Sequence, residues 1–231
     1  MMQKLKYLAA VAIGVLPVHG FMIWYRLNAG GVFTLREMLV YPLAFGGGSI
    51  LLMLVLNSLL LGRTIRAFNP GKGLWYTDAA FGLLLAALCY ILLFLERPVL
   101  SAILPPDRPP SREIIDLITG LVKDPLLLAL WLGPVVWIGV AAFEELSRVF
   151  FLQCLWKLLP GPGWAVLSIA LVSVFAGAVH LYQGAFGLIS VSIQGLLFGF
   201  FFYRFGRIWP LIIAHALYDS VQIVIFAAGL S

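Results

Sequence analysis

The chain has 231 residues, of which 62% are hydrophobic and 11% charged, and its mean hydropathy is +1.04. These values exclude a soluble globular domain and predict an all-α, polytopic transmembrane helical bundle. The formal net charge of +5 is strung through the segments between apolar runs. It therefore speaks of orientation in a bilayer and not of nucleic-acid binding.

A membrane-crossing helix needs about 20 mostly apolar residues, and the sequence offers seven candidates. The first, Leu5 to Tyr25, has no small-residue cleavage pattern before the next loop and is expected to be a retained span. The second, Met38 to Leu61, contains Pro42 and Gly46-Gly47-Gly48, where neighbouring helices must support a weakened backbone. Asn57 and Ser58 in the same run are expected to hydrogen-bond between helices. The third is Thr77 to Leu95. A long polar connection follows from Glu96 to Asp124, and its Pro-rich start, Leu104 to Pro110, is restricted to extended or turned backbone. Ser111 is then expected to cap a short helix near 112–123. Ile114, Ile115, Ile118, Leu121 and Val122 share one side of it, and Arg112, Glu113, Asp116 and Lys123 surround the rest. That pattern predicts a helix lying in the membrane interface.

The fourth span starts near Pro125 and can run unbroken to Lys157, ending at the Pro-Gly cluster 160–163. The fifth is Trp164 to Tyr182, the sixth Ile189 to Tyr203 and the seventh Trp209 to Ala228. Gly195 and Gly199 in the sixth have the spacing that lets helix backbones approach closely. The expected organisation is a three-span region with its outer loop, residues 1–124, followed by a four-span core, residues 125–231. With the N-terminus inside, the inner segments hold eight basic residues: Lys4, Lys6, Arg63, Arg66, Lys72, Lys157, Arg204 and Arg207. The outer segments hold six, so the N-terminus is expected to be cytoplasmic and the C-terminus outside.

The fourth span carries the run Phe143-Glu144-Glu145-Leu146-Ser147-Arg148. A charge at the centre of a membrane helix costs about 2.5 to 3.5 kcal/mol on insertion scales, and such groups mark functional sites. Glu144 and Arg148 stand at i and i+4 on one face, so the cation can offset one carboxylate and leave the other less compensated, which suits a general base. Two further regions bring ionisable groups into later spans. His180 lies near the end of the fifth, and His215 and Asp219 stand at i and i+4 in the seventh, where the carboxyl group can orient the imidazole. One shared interior pocket would satisfy all of these groups at once. His19, after Pro17 in the first span, has no polar neighbour in sequence and reads as structural. Cys89 and Cys154 lie in separate apolar runs without metal-type spacing. Helix length poses a condition on the shared pocket. His180 lies about 24 Å along its span and His215 about 9 Å into the seventh, both counted from the same side. They meet only if the fifth span starts outside the hydrocarbon or the seventh starts below the surface.

Taken in order, Phe143-Glu144-Glu145 with Arg148, His180-Leu181-Tyr182-Gln183-Gly184, and Trp209-Pro210-Leu211-Ile212-Ile213-Ala214-His215 with Asp219 resemble the motifs of the CAAX protease and bacteriocin-processing family. That family contains the type II CAAX prenyl endopeptidases, which are intramembrane glutamic proteases. The resemblance covers about Pro125 to Ala228. It departs from the family pattern in three places: two residues rather than three precede Arg148, Phe175 stands five rather than four residues before His180, and Asp219 replaces a frequent Asn. The resemblance implies that Glu144 and His180 activate a water, that His215 and Asp219 stabilise the oxyanion, and that Glu145 and Arg148 support the site. It implies an endopeptidase without a cofactor, acting on a membrane-associated protein or peptide in the lipid bilayer. Zinc held by one Glu and two His is the runner-up, ranked lower because no His-Glu-x-x-His pair is present. From another class comes a non-catalytic scaffold or immunity protein.

Overall fold

The computed structural model describes residues 2–28, 34–104 and 112–229. Within them the backbone is helical, with no strand, and six helical segments are long and apolar enough to cross a membrane. The chain is thus an all-α, multi-pass membrane protein. The expected fifth span is the exception to the length rule: it is the 17-residue apolar helix Pro162–Ala178, shorter than the others. The predicted Pro-rich stretch from Pro105 and the cap at Ser111 lie outside the described residues.

Helices α1 (Met2–Gly14) and α2 (Leu16–Asn28) form the first crossing. The short α3 (Leu35–Tyr41), a wider π-helical stretch Pro42–Gly46, α4 (Gly47–Val55) and a second wide stretch Leu56–Leu60 form the next. Helix α5 runs from Trp75 to Ile103, past the expected end at Leu95 and straight through Pro98. The amphipathic α6 (Arg112–Lys123) packs against α11 and against the short α7 (Pro125–Leu130). Its Leu121 is fully buried with Leu39 and Val135. The expected long fourth span is continuous but irregular. A π-helical stretch Trp131–Ala142, with Gly133 off helical geometry beside Pro134, leads into α8 (Phe143–Leu158).

Three helices complete the bundle: α9 (Pro162–Ala178), α10 (Gly184–Phe205) and α11 (Trp209–Ala227). Gly195 and Gly199 of α10 face Ser173 and Ile169 of α9, and a Cβ on Gly199 would stand 2.6 Å from Ile169 Cγ2. The small-residue spacing therefore serves close packing. The main core joins α1, α8, α10 and α11 through Val11, Val15, Phe150, Phe198 and Leu211, with Cys89 and Cys154 buried as free thiols. In apolar solvent such packing, rather than hydrophobic exclusion, holds helices together.

One end of the bundle is tied shut. The segment between the second crossing and α5 folds over the α10–α11 corner: Gly71 N–H donates to Gly206 O at 2.8 Å and Ile208 N–H to Asn69 Oδ1 at 3.0 Å. Buried Arg207 pairs with Asp78 at the start of α5. Asn57 donates to Arg63 O and Thr64 O in this same segment instead of bridging two helices as expected. Gln153 of α8 donates to Ala67 O and accepts from Arg63. Arg207 and Ile208 are buried beneath this segment, whereas Trp209, the first residue of α11, is exposed.

Candidate active site

The first turn of α8 supplies Glu144, Glu145 and Arg148. Arg148 Nη1 donates to both Glu145 oxygens, at 2.9 and 2.7 Å, and Glu145 is fully buried. The expected i, i+4 pairing with Glu144 is therefore replaced by an i, i+3 pairing with Glu145. The guanidinium also lies over the Phe198 ring, 5.4 Å from its centroid. Buried carboxylates need such partners, since an uncompensated charge in a medium of low dielectric is costly.

Glu145 has a second partner. His215 Nδ1 lies 2.8 Å from Glu145 Oε1, and since a carboxylate only accepts, the ring donates there. Its other nitrogen, Nε2, then faces Glu144 Oε2 at 3.9 Å and Asp219 Oδ2 at 3.6 Å. Helix α11 thus delivers His215 and Asp219 from one face, one turn apart, to the two glutamates of α8. Side-chain exposure rises along the row, from 0% at Glu145 through 15% at His215 and 17% at Glu144 to 28% at Asp219.

His180 lies beyond the last residue of α9 and not within a helix as expected. The chain leaves α9 through a short 3-10 turn, Leu181–Gln183, and enters α10 at Gly184 with φ +80°. His180 Nδ1 lies 3.1 Å from Ala176 O. His180, like His215, Arg148 and His19, stands within electrostatic reach of Glu144.

A cavity of about 20 Å³ opens beside Glu144, lined also by Ser147 and Arg148 of α8, His19 and Met22 of the first crossing, and Phe175 of α9. That volume holds about one water. Ser147 Oγ and Arg148 Nε are buried without a protein partner, which suits a polar occupant. Of the four residues expected to share a pocket, Glu144 lines this cavity, whereas His180, His215 and Asp219 are not among its described lining residues. Glu144 joins the cavity to the His215–Asp219 pair.

His19, which the sequence reads as structural, lines the cavity beside Glu144. It is buried, its Nδ1 lies 3.0 Å from Val15 O, and its ring sits between Phe143 and Phe175 at centroid distances of 5.3 and 5.5 Å. Phe175, one step from its family position, reaches the cavity all the same. Among the described residues no group of three or more His, Cys, Asp or Glu is arranged to hold a metal ion.

Comparison with curated proteins and with solved structures found no match. Residues 126–221 match a family model described as Type II CAAX prenyl endopeptidase Rce1-like. The matched segment contains Glu144, Glu145, Arg148, His180, His215 and Asp219. The family implies a membrane protease, a hydrolase of peptide bonds with a protein or peptide substrate. The chain is thus similar, over residues 126–221, to the Type II CAAX prenyl endopeptidase Rce1-like family.

Proposed function

We propose that this protein is an intramembrane endopeptidase of the glutamic type, with Glu144 as the general base. The observation that carries this reading is the division of labour between adjacent glutamates. Arg148 and His215 occupy Glu145, while Glu144 faces a cavity of about 20 Å³ and keeps its carboxylate for a proton.

In this reading a water in the cavity gives a proton to Glu144 as its oxygen attacks the scissile carbonyl carbon. His180, within electrostatic reach of Glu144, holds the same water. Negative charge then develops on the carbonyl oxygen, and a protonated His215 Nε2 stabilises it. Asp219 holds the His215 ring, and as a neutral acid it would be a second donor. Collapse of the tetrahedral intermediate breaks the C–N bond, and Glu144 returns its proton to the leaving amine. Glu145 and Arg148 fix the imidazole from behind. The substrate is a membrane-associated polypeptide, and the N-terminus of the enzyme is cytoplasmic.

The test is hydrolysis of a quenched peptide by purified protein, comparing Glu144→Gln with the parent. Loss of turnover in a variant that still folds supports the base assignment. A zinc-dependent mechanism predicts stoichiometric zinc and inactivation by chelator; the glutamic mechanism predicts neither.

A further inference from the structure

His19 belongs to the first crossing, outside the matched segment 126–221, yet it stands at the cavity beside Glu144. Val15, at the joint between α1 and α2, accepts two hydrogen bonds from it: one from the backbone N–H, at 3.3 Å, and one from ring Nδ1, at 3.0 Å. A carbonyl only accepts, so Nδ1 carries the proton. Helix α1 packs on α8, and α2 packs on the turn that follows α9. Those contacts set the imidazole between Phe143 and Phe175, with its plane tilted by 31° and 35° to theirs. The ring is thus fixed by its own backbone and by aromatic neighbours from two other helices.

With Nδ1 protonated and engaged, a neutral ring keeps its lone pair on Nε2. None of the described residues makes a hydrogen bond to that nitrogen.

The cavity wall offers a matching set of polar groups. Its volume of about 20 Å³ suits one water. A water brings two hydrogens and two lone pairs, and in the hydrolytic reading Glu144 accepts one of the hydrogens. The second needs an acceptor on the wall, and His180 is not among the described lining residues, whereas His19 is. Arg148 Nε and Ser147 Oγ, both buried without a protein partner, can donate to one lone pair. The other lone pair stays for the scissile carbon.

We propose that His19 is a positioning residue for hydrolysis: its Nε2 accepts the second hydrogen of the cavity water while Glu144 accepts the first, which orients the oxygen for attack. The proposal rests on the hydrolytic reading above and adds to it a group from the first crossing. His19 gains no proton in the step. The O–H bond toward Glu144 breaks, the O–C bond forms, and the hydrogen held by His19 stays on the oxygen as the hydroxyl of the tetrahedral intermediate.

Three substitutions separate the ring from its nitrogens. His19→Phe keeps a ring between Phe143 and Phe175 and removes both nitrogens. His19→Gln returns an amide oxygen to the neighbourhood of Nε2, and His19→Asn places its amide near Nδ1 and leaves the Nε2 position empty. The experiment measures kcat, KM and the unfolding midpoint of these variants, of Glu144→Gln and of the parent, with a quenched peptide in detergent. His19→Phe and His19→Asn should lose about 10²-fold in kcat, the scale of a misplaced reactant. KM and the midpoint should stay near the parental values, and His19→Gln should recover about tenfold of the loss. A merely structural histidine predicts no advantage of Gln over Asn or Phe.

Parental kcat in folded His19→Phe overturns the proposal, as does a Gln variant no more active than the Asn variant, a comparison that decides the matter if His19→Phe fails to fold. Loss of folding in all three makes His19 a packing residue and overturns it as well. Parental cleavage by Glu144→Gln removes the base assignment and the positioned water with it. Parental cleavage by His19→Phe beside an inactive Glu144→Gln removes the part of His19 alone.

Discussion

Arg148 Nη1 reaches both oxygens of Glu145, at 2.9 and 2.7 Å, and makes no comparable contact with Glu144 among the described ion pairs. Two adjacent carboxylates thereby acquire different roles. Breaking the pair from the arginine side leaves Glu145 buried with only His215 to answer it. Arg148→Met should therefore destabilise the protein by about 3–5 kcal/mol. Glu145→Gln/Arg148→Met, which removes both charges, should recover much of that loss. Chemical denaturation in detergent, compared across the two variants and the parent, checks the sign.

Asp219 sits where the family often has Asn, 3.6 Å from His215 Nε2. An amide there can donate to a developing oxyanion without having to be protonated first. Asp219→Asn should thus keep activity near the parent level, while Asp219→Ala should lower kcat by about 10²–10³, the scale of one lost oxyanion donor. Steady-state kinetics on both variants separates a donor from a mere space-filler, which would tolerate Ala and Asn alike.

The lock at the closed end predicts a stability effect without a chemical one. Gly71→Ala must push apart backbone that is already in contact, since its Cβ would lie 2.0 Å from Phe205 O. A cost of about 1–3 kcal/mol is expected, with kcat of the folded fraction unchanged. Parallel unfolding and turnover measurements check it, and a fall in kcat at full folding would count against a purely structural lock.

Much of the bundle was legible because membrane spans announce themselves by length and hydropathy. The same rule misjudged the fifth span, since α9 stops at Ala178 and turns before His180. Gly177, where a Cβ would meet Leu188 O at 2.4 Å, shows how tightly the returning α10 presses on that end. The polar motifs were legible as penalties in hydrocarbon. Which glutamate Arg148 takes was not, because i+3 and i+4 are both within reach on a helix, and His215, 70 residues away, engages the same oxygen of Glu145. His19 escaped for a similar reason: its neighbours, Phe143 and Phe175, come from other helices. The Arg207–Asp78 pair joins residues 129 apart and left no local trace in sequence.

A metal-free mechanism predicts that dialysis against a strong chelator leaves turnover unaltered and that the active protein carries no stoichiometric zinc. Elemental analysis of the same preparation used for kinetics checks both halves. Loss of activity on chelation, restored by added zinc, would move the candidate ligands to the front.

Everything turns on the proton that Glu144 is proposed to accept. The most direct measurement is kcat for a quenched peptide with Glu144→Gln, which preserves the shape of the side chain and its place on the cavity wall while removing the base. The account predicts a drop of about 10²–10⁴ in a protein whose unfolding midpoint stays close to that of the parent. Cleavage at the parental rate by the folded variant would contradict it.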